Sequence, residues 1–216
     1  MNVRLTESRI NHIHSILYEM IFTVVKSPSD ALAVTNEVYM HAKDAEKMSS
    51  DADTPFHVKA SINPRVYLCK VHESVREGTV AMSRTQRSEC FVFLDDVIAL
   101  ELFIPSANNS IVCSQLKVTV DLVDTPKYPV FVNIAQLETH LHREFEDHYL
   151  LFRQNIVTMY KGVLIRSVIK DYDVGVCDML LCTGTPFCRL DRYTSRVGVT
   201  LASNPMLQDA RYETHI

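Results

Sequence analysis

The chain has 216 residues, 47% of them hydrophobic and 22% charged, the balance of an ordinary globular protein with room for one large core or two small ones. Its formal charge is -4, from 22 Lys and Arg against 26 Asp and Glu, and neither half is basic, which argues against a sequence-independent grip on nucleic acid through clustered cations. Only 5 glycines occur and none opens a Walker Gly-Lys-Ser/Thr ending, so an NTPase on this chain alone is excluded.

Ile10, Ile13, Leu17, Met20 and Ile21 recur at helical spacing behind Thr6 or Ser8 as N-cap. The pattern predicts an amphipathic helix that covers one face of the following domain, with membrane or partner docking as the alternative. The apolar run 16–25 is too short to span a bilayer, Glu19 interrupts it and no small-residue cleavage site follows; neither an anchor nor a signal peptide is expected. Residues 31–34, 37–40, 56–60, 66–71, 79–83 and 97–103 read as strands, separated by turn chemistry at 49–53, 62–64 and 77–78. Many short strands with little helix predict a small barrel. The polar, turn-prone stretch 105–110 has nothing to bury and reads as a linker.

Beyond it, residues 116–123 alternate as a strand. After Pro126 and Pro129 a helical pattern places Ile134, Leu137, Leu141, Phe145 and Tyr149 on one face, with Glu138, Arg143, Glu144, Glu146 and Asp147 on the other. Strands follow at 155–160, 162–168 and 196–201, so this half reads as an α/β sheet with one principal helix. The division expected is a helical extension over 1–25, a barrel over 26–104, a linker over 105–110 and an α/β unit over 111–216.

Chemistry is sparse. The 6 cysteines form no C-x-x-C pair and read as buried free thiols of a reducing compartment. Cys177, Cys182 and Cys188 lie close in sequence, but their spacing matches no zinc knuckle. His140 and His142 are two apart on a helix and do not face one ion together; with His148 they read as solvated or half-buried helix histidines. Asp95 and Asp96 could be paired carboxylates for acid–base work, but their place before a strand reads as a solvated turn. No nucleophile elbow, Cys–His signature or Rossmann glycine pattern is present. Residue patterns alone therefore point to a two-domain binding unit with no catalytic and no metal site.

Specific strings go further. Lys26-Ser27-Pro28-Ser29-Asp30-Ala31-Leu32-Ala33-Val34-Thr35-Asn36 resembles the opening of the N-terminal domain of the N-ethylmaleimide-sensitive fusion protein family, a basic residue, a proline two on, then D-x-L-x-(aliphatic)-T-N. The segment from His72 through Ser74, Val75, Gly78, Val80, Ala81, Met82 and Ser83 resembles the family's H-x-S-V-x-x-G-x-(I/V)-A-(F/M)-S. Gln86-Arg87 matches its Q-R, Val118-Thr119-Val120-Asp121 its I-E-I-D strand, and Glu144-Phe145, then Gly162 to Arg166, then Val197-Gly198-Val199 continue in order. The likeness runs from about Lys26 to about Met206.

The resemblance implies a double-psi β-barrel followed by an α/β roll. It implies the adaptor-recognition domain of a vesicle-fusion AAA+ ATPase, which holds soluble attachment protein and, through it, the SNARE complex, while separate domains hydrolyse ATP with Mg to pull the bundle apart. No cofactor is expected in this chain. The family is homohexameric, cytoplasmic and bound to vesicle and Golgi membranes only indirectly, through adaptors; this domain alone is expected to be monomeric. Its adaptor contact is a basic groove. Lys26 carries over to the basic position before Pro28 and Arg87 to the Gln-Arg pair. A Lys-Lys pair after the I-E-I-D strand does not carry over: Lys127 is the only nearby cation, Asp124 opposes it, and Arg84 is the candidate that compensates. Two other functions stay open at this point. One is a valosin-containing-type N-domain that binds ubiquitin-pathway cofactors; the other is an enzyme built on a double-psi barrel. The chain is either a piece of a longer ATPase or a stand-alone relative.

Overall fold

The computed structural model describes residues 19–49, 51, 54–106, 110–146, 148–173 and 187–210. They form two compact units, one of residues up to Ala33 with Glu37–Ile104, the other of Val34–Asn36 with the chain from Pro105.

The first unit is a closed six-stranded barrel. Its strands are β1 (Met20–Lys26), β2 (Val38–Met40), β3 (Phe56–Ala60), β4 (Val66–Val71), β5 (Thr79–Met82) and β6 (Val97–Leu102), and they close in the order β1-β5-β2-β4-β3-β6. β1 runs parallel to β5 and β2 parallel to β4, while the remaining neighbours are antiparallel. This crossed pairing closes the barrel in a double-psi fold and leaves no free sheet edge. Period-two alternation directs Phe22 and Val24, Phe56, Val58 and Ala60, and Ile98 and Leu100 inward, where they meet Met40, Tyr67, Val80 and Met82.

Two short helices, α1 (Ala42–Met48) and α2 (Arg84–Cys90), decorate the barrel. Asp44 on α1 is buried, and its carboxylate accepts from the backbone N–H of Gly78 at 2.7 Å and from Lys47 Nζ at 3.2 Å. Gly78 has φ 76°, a left-handed conformation that glycine adopts without a Cβ penalty, so the glycine of the H-x-S-V-x-x-G string sets a turn that Asp44 clamps.

In the second unit, β8 (Gln115–Leu122), β11 (Asn155–Tyr160), β12 (Val163–Asp173) and β14 (Arg196–Leu201) form a sheet in the order β11-β12-β8-β14. β8 is paired on both sides and alternates strictly, with Leu116, Val118, Val120 and Leu122 buried. Helix α3 (Ile134–Phe145) is capped by Asn133, whose side chain accepts from Gln136 N–H at 3.1 Å. Leu137, Leu141 and Phe145, one turn apart, are fully buried in the core shared with the sheet. A three-stranded sheet pairs β10 (Tyr149–Leu150), β13 (Phe187–Leu190) and β7 (Ser110–Cys113), and β15 (Leu207–Asp209) pairs with β9 (Val130–Val132). Gly198 on β14 lies close against β8: a Cβ there would meet Gln115 Nε2 at 2.9 Å.

Several expectations are corrected. Met20 and Ile21, read as the last turn of an N-terminal helix, belong to barrel strand β1. Ile21, Thr23, Val24 and Val25 of this run are β-branched, Phe22 and Val24 are buried in alternation, and the pairing with β5 and β6 outweighs the helical spacing. The rest of the predicted helix lies outside the described residues. The stretch 31–34 is no strand; Leu32–Val34 is a 3₁₀ turn, set by Ser29, whose hydroxyl accepts from Leu32 N–H at 3.2 Å. Tyr149 lies in β10, past the end of α3. Ser110, placed in the linker, opens β7.

Candidate partner-binding site

Three of the four candidate cations belong to the barrel. Lys26 ends β1 and is the register partner of Met82, the last residue of β5. Ser83 follows as the N-cap of α2, with a complete capping box: Gln86 N–H donates to Ser83 Oγ, and Ser83 N–H donates to Gln86 Oε1 at 2.8 Å. Gln86 is itself anchored, donating from Nε2 to the Glu37 carbonyl at 3.0 Å. Arg84 and Arg87 therefore project from a helix whose start is fixed by one buried side chain. Since adjacent strands lie about 4.8 Å apart, the backbone of Lys26 sits one strand from the entry to this helix.

The three differ in how free they are. Arg87 is half-buried, and its Nη1 donates to the Met82 carbonyl at 2.8 Å. Burial first, and the neighbouring Arg84 charge second, lower its pKa, yet a guanidinium stays cationic at neutral pH. Lys26 is exposed and lies 3.6 Å from Asp30 Oδ1, a fully solvated pair worth little. Arg84 is exposed and forms no ion pair among the described residues. In the first turn of a helix a cation gains nothing from the helix dipole, so local stability does not account for Arg84.

Lys127 is exposed in the connection between β8 and β9 of the second unit, with Asp124 in the same exposed connection. The structure thus brings Lys26, Arg84 and Arg87 to one end of the barrel, and Lys127 belongs to the second unit. The helix carrying Arg84 and Arg87 was not expected from the sequence. Its signal was there: Ser83-Arg84-Thr85-Gln86 has the S-x-x-Q spacing of a capping box.

The remaining chemistry candidates resolve simply. Asp96 Oδ2 accepts from Phe93 N–H at 2.8 Å and Asp95 has φ 67°, the geometry of a turn. Cys69, Cys90, Cys113 and Cys188 are free and buried, whereas Cys177 and Cys182 lie outside the described residues. Among the described residues no group of three or more His, Cys, Asp or Glu is arranged to hold a metal. No helix among them is long and apolar enough to cross a membrane.

Comparison with known proteins agrees with the strings. The vesicle-fusing ATPase of Arabidopsis thaliana is 27% identical over 155 residues, 72% of this chain and 20% of that protein, so the chain spans about a fifth of the relative it matches. No family model matches. The resemblance read from the motifs is borne out, for a part of the relative that fits an N-domain.

Proposed function

For a chain related to the vesicle-fusing ATPases, we propose the role of adaptor-recognition N-domain: its barrel binds an acidic face of soluble attachment protein, and through it the SNARE complex. The observation that carries this reading is the local concentration of Lys26, Arg84 and Arg87 around Met82 on a chain whose net charge is -4. The net field of such a chain repels an acidic partner, so attraction has to come from a local cluster of cations. Arg87, braced on Met82, holds its guanidinium in place with donors to spare; Arg84 and Lys26 add charge beside it. A guanidinium can grip a carboxylate through two parallel hydrogen bonds, which gives the contact direction as well as strength. In this role the chain binds and does not power anything. ATP, Mg and hexamer formation would belong to ATPase domains like those of the relative, and attachment to vesicle membranes would be indirect, through the adaptor. Lys127, exposed on the second unit, is kept as a further candidate contact of the adaptor.

The test offers immobilised chain both soluble attachment protein and a ubiquitin-pathway cofactor of valosin-containing N-domains. Saturable binding of the first and none of the second is expected. Binding of the cofactor alone would overturn the assignment.

A further inference from the structure

Directly after α2 the chain exposes two phenylalanines. Phe91 is 77% and Phe93 78% exposed, while Val92 between them is buried. Their position is built. Phe91 ends α2 in the left-handed conformation, φ 56°, with its N–H bonded to the Ser88 carbonyl at 3.3 Å and Val92 N–H bonded to the Arg87 carbonyl at 3.0 Å. That is a Schellman closure, where glycine is the usual residue and a phenylalanine is sterically penalised. The loop then returns to the barrel through paired bonds to one residue: Asp95 N–H donates to the Val24 carbonyl at 2.9 Å and Val24 N–H to the Asp96 carbonyl at 2.8 Å. Phe93 N–H is held by Asp96 Oδ2. A tethered loop with a buried valine at its centre holds both rings out in water, an arrangement that costs stability and does nothing for the core.

The rings sit beside the cations. Arg84 and Arg87 are spaced i, i+3 on α2, and the turn that carries Phe91 hangs on the same helix, with Val92 N–H bonded to the Arg87 carbonyl, so the short helix carries two cations, with an aromatic ring just past its end. From this adjacency we infer that the barrel's docking surface runs from the α2 cations onto Phe91 and Phe93, and that its occupant is an acidic segment of the adaptor with apolar side chains next to its carboxylates. The inference rests on the adaptor-recognition reading and names the partner chemistry of that same surface. Charge complementarity selects the acidic side; the two rings require apolar side chains on the same occupant, because an all-polar acidic surface would leave them in water. The division of labour follows: the cations speed and orient encounter, and the desolvated rings hold the complex, as aromatic anchors at the centre of interfaces do.

The full chain is titrated with soluble attachment protein in three forms: parent, Phe91→Gly with Phe93→Ser, and Lys26→Glu with Arg84→Glu. Glycine accepts φ 56° without strain, so the aromatic-deleted form should melt no lower than the parent. It should nevertheless bind roughly tenfold more weakly, mainly through faster dissociation, with its salt dependence unchanged. The charge-reversed form should instead lose salt dependence and association rate. If the aromatic-deleted form binds like the parent while charge reversal weakens binding, the inference is overturned and the adaptor-recognition reading stands. If the parent does not bind the adaptor at all, both fall.

Discussion

Arg87 turns its guanidinium back over its own helix, and Nη1 donates to the Met82 carbonyl at 2.8 Å. Met82 is also the residue beside which Lys26 lies in the β1–β5 register. One carbonyl thus marks where the last strand residue, the start of α2 and two of the barrel cations meet. Arg87 is consequently structural as well as available for binding, and Arg84 is not. Arg87→Ala should lower unfolding stability by roughly 1–2 kcal/mol, the loss of a hydrogen bond from a charged donor, whereas Arg84→Ala should stay within about 0.5 kcal/mol of the parent. Urea denaturation midpoints of the two variants check this; equal effects would contradict it.

The Asp44–Gly78 clamp makes a second test. Asp44→Ala leaves the Gly78 N–H without its buried acceptor and should cost about 1–3 kcal/mol. Gly78→Ala should cost about 1 kcal/mol for a different reason: nothing lies within 4 Å of the added Cβ, so the penalty is the left-handed backbone alone. Thermal melts of both variants separate the mechanisms. A neutral Gly78→Ala would contradict the conformational argument.

Barrel strands β3 and β6 were legible because alternation and flanking turns agree, β4 because a short, largely apolar run is bounded by turns, and α3 because Leu137, Leu141 and Phe145 keep one stripe. Strand β1 was hidden: Met20 and Ile21 continue the helical spacing of Ile10, Ile13 and Leu17, and only their pairing partners far along the chain decide otherwise. Helix α2 was missed because Arg-Thr-Gln-Arg-Ser-Glu-Cys buries only Gln86 and Cys90, too little for an apolar period. At the site, Lys26 and Arg87 were found through strings, not chemistry. The Met82 carbonyl that braces Arg87 and the Asp30 partner of Lys26 lie only five and four residues away, but they meet because of the backbone path between them, which no residue pattern carries. No sequence pattern singles out Phe91 and Phe93; the closure at the end of α2 is what leaves them exposed.

Among the described residues, the sheet of the second unit contains three buried hydroxyls without a hydrogen-bond partner, Thr158 Oγ1 and Tyr160 Oη on β11 and Ser167 Oγ on β12, with Thr158 and Ser167 fully buried. Valine has the shape of threonine without the unsatisfied hydroxyl. Thr158→Val should therefore raise stability by about 1 kcal/mol, measured by chemical denaturation. Destabilisation would show that the hydroxyl is satisfied, for example by a buried water.

Burial pushes the Cys90 thiol up to about 11 from 9.0, and Tyr67, whose hydroxyl lies 3.3 Å from Cys90 Sγ, is raised as well, chiefly by burial. The unfolded thiol therefore releases its proton first. Between pH 9 and 11 the folded state binds more protons than the unfolded one, so stability falls as pH rises through that window and is unaffected below it. Cys90's share is on the order of 2 kcal/mol. Comparing the parent with Cys90→Ala at pH 8 and pH 11 isolates it: the parent's advantage should shrink at the higher pH. A constant gap would contradict the assignment.

The central claim, that a local basic cluster on the barrel recruits an acidic adaptor, is tested most directly by binding of soluble attachment protein to the full chain carrying Lys26→Glu with Arg84→Glu. Both positions are exposed and neither braces the fold, so the variant should melt like the parent. A single exposed ion pair is worth only about 0.2–1 kcal/mol, but reversing two charges replaces attraction with repulsion. The account predicts a loss of at least about tenfold in affinity, about 1.4 kcal/mol. Parent binding should also weaken from low to physiological salt, where screening shortens the reach of these charges to about 8 Å. Undiminished binding by the reversed variant, with no salt dependence in the parent, would contradict the account.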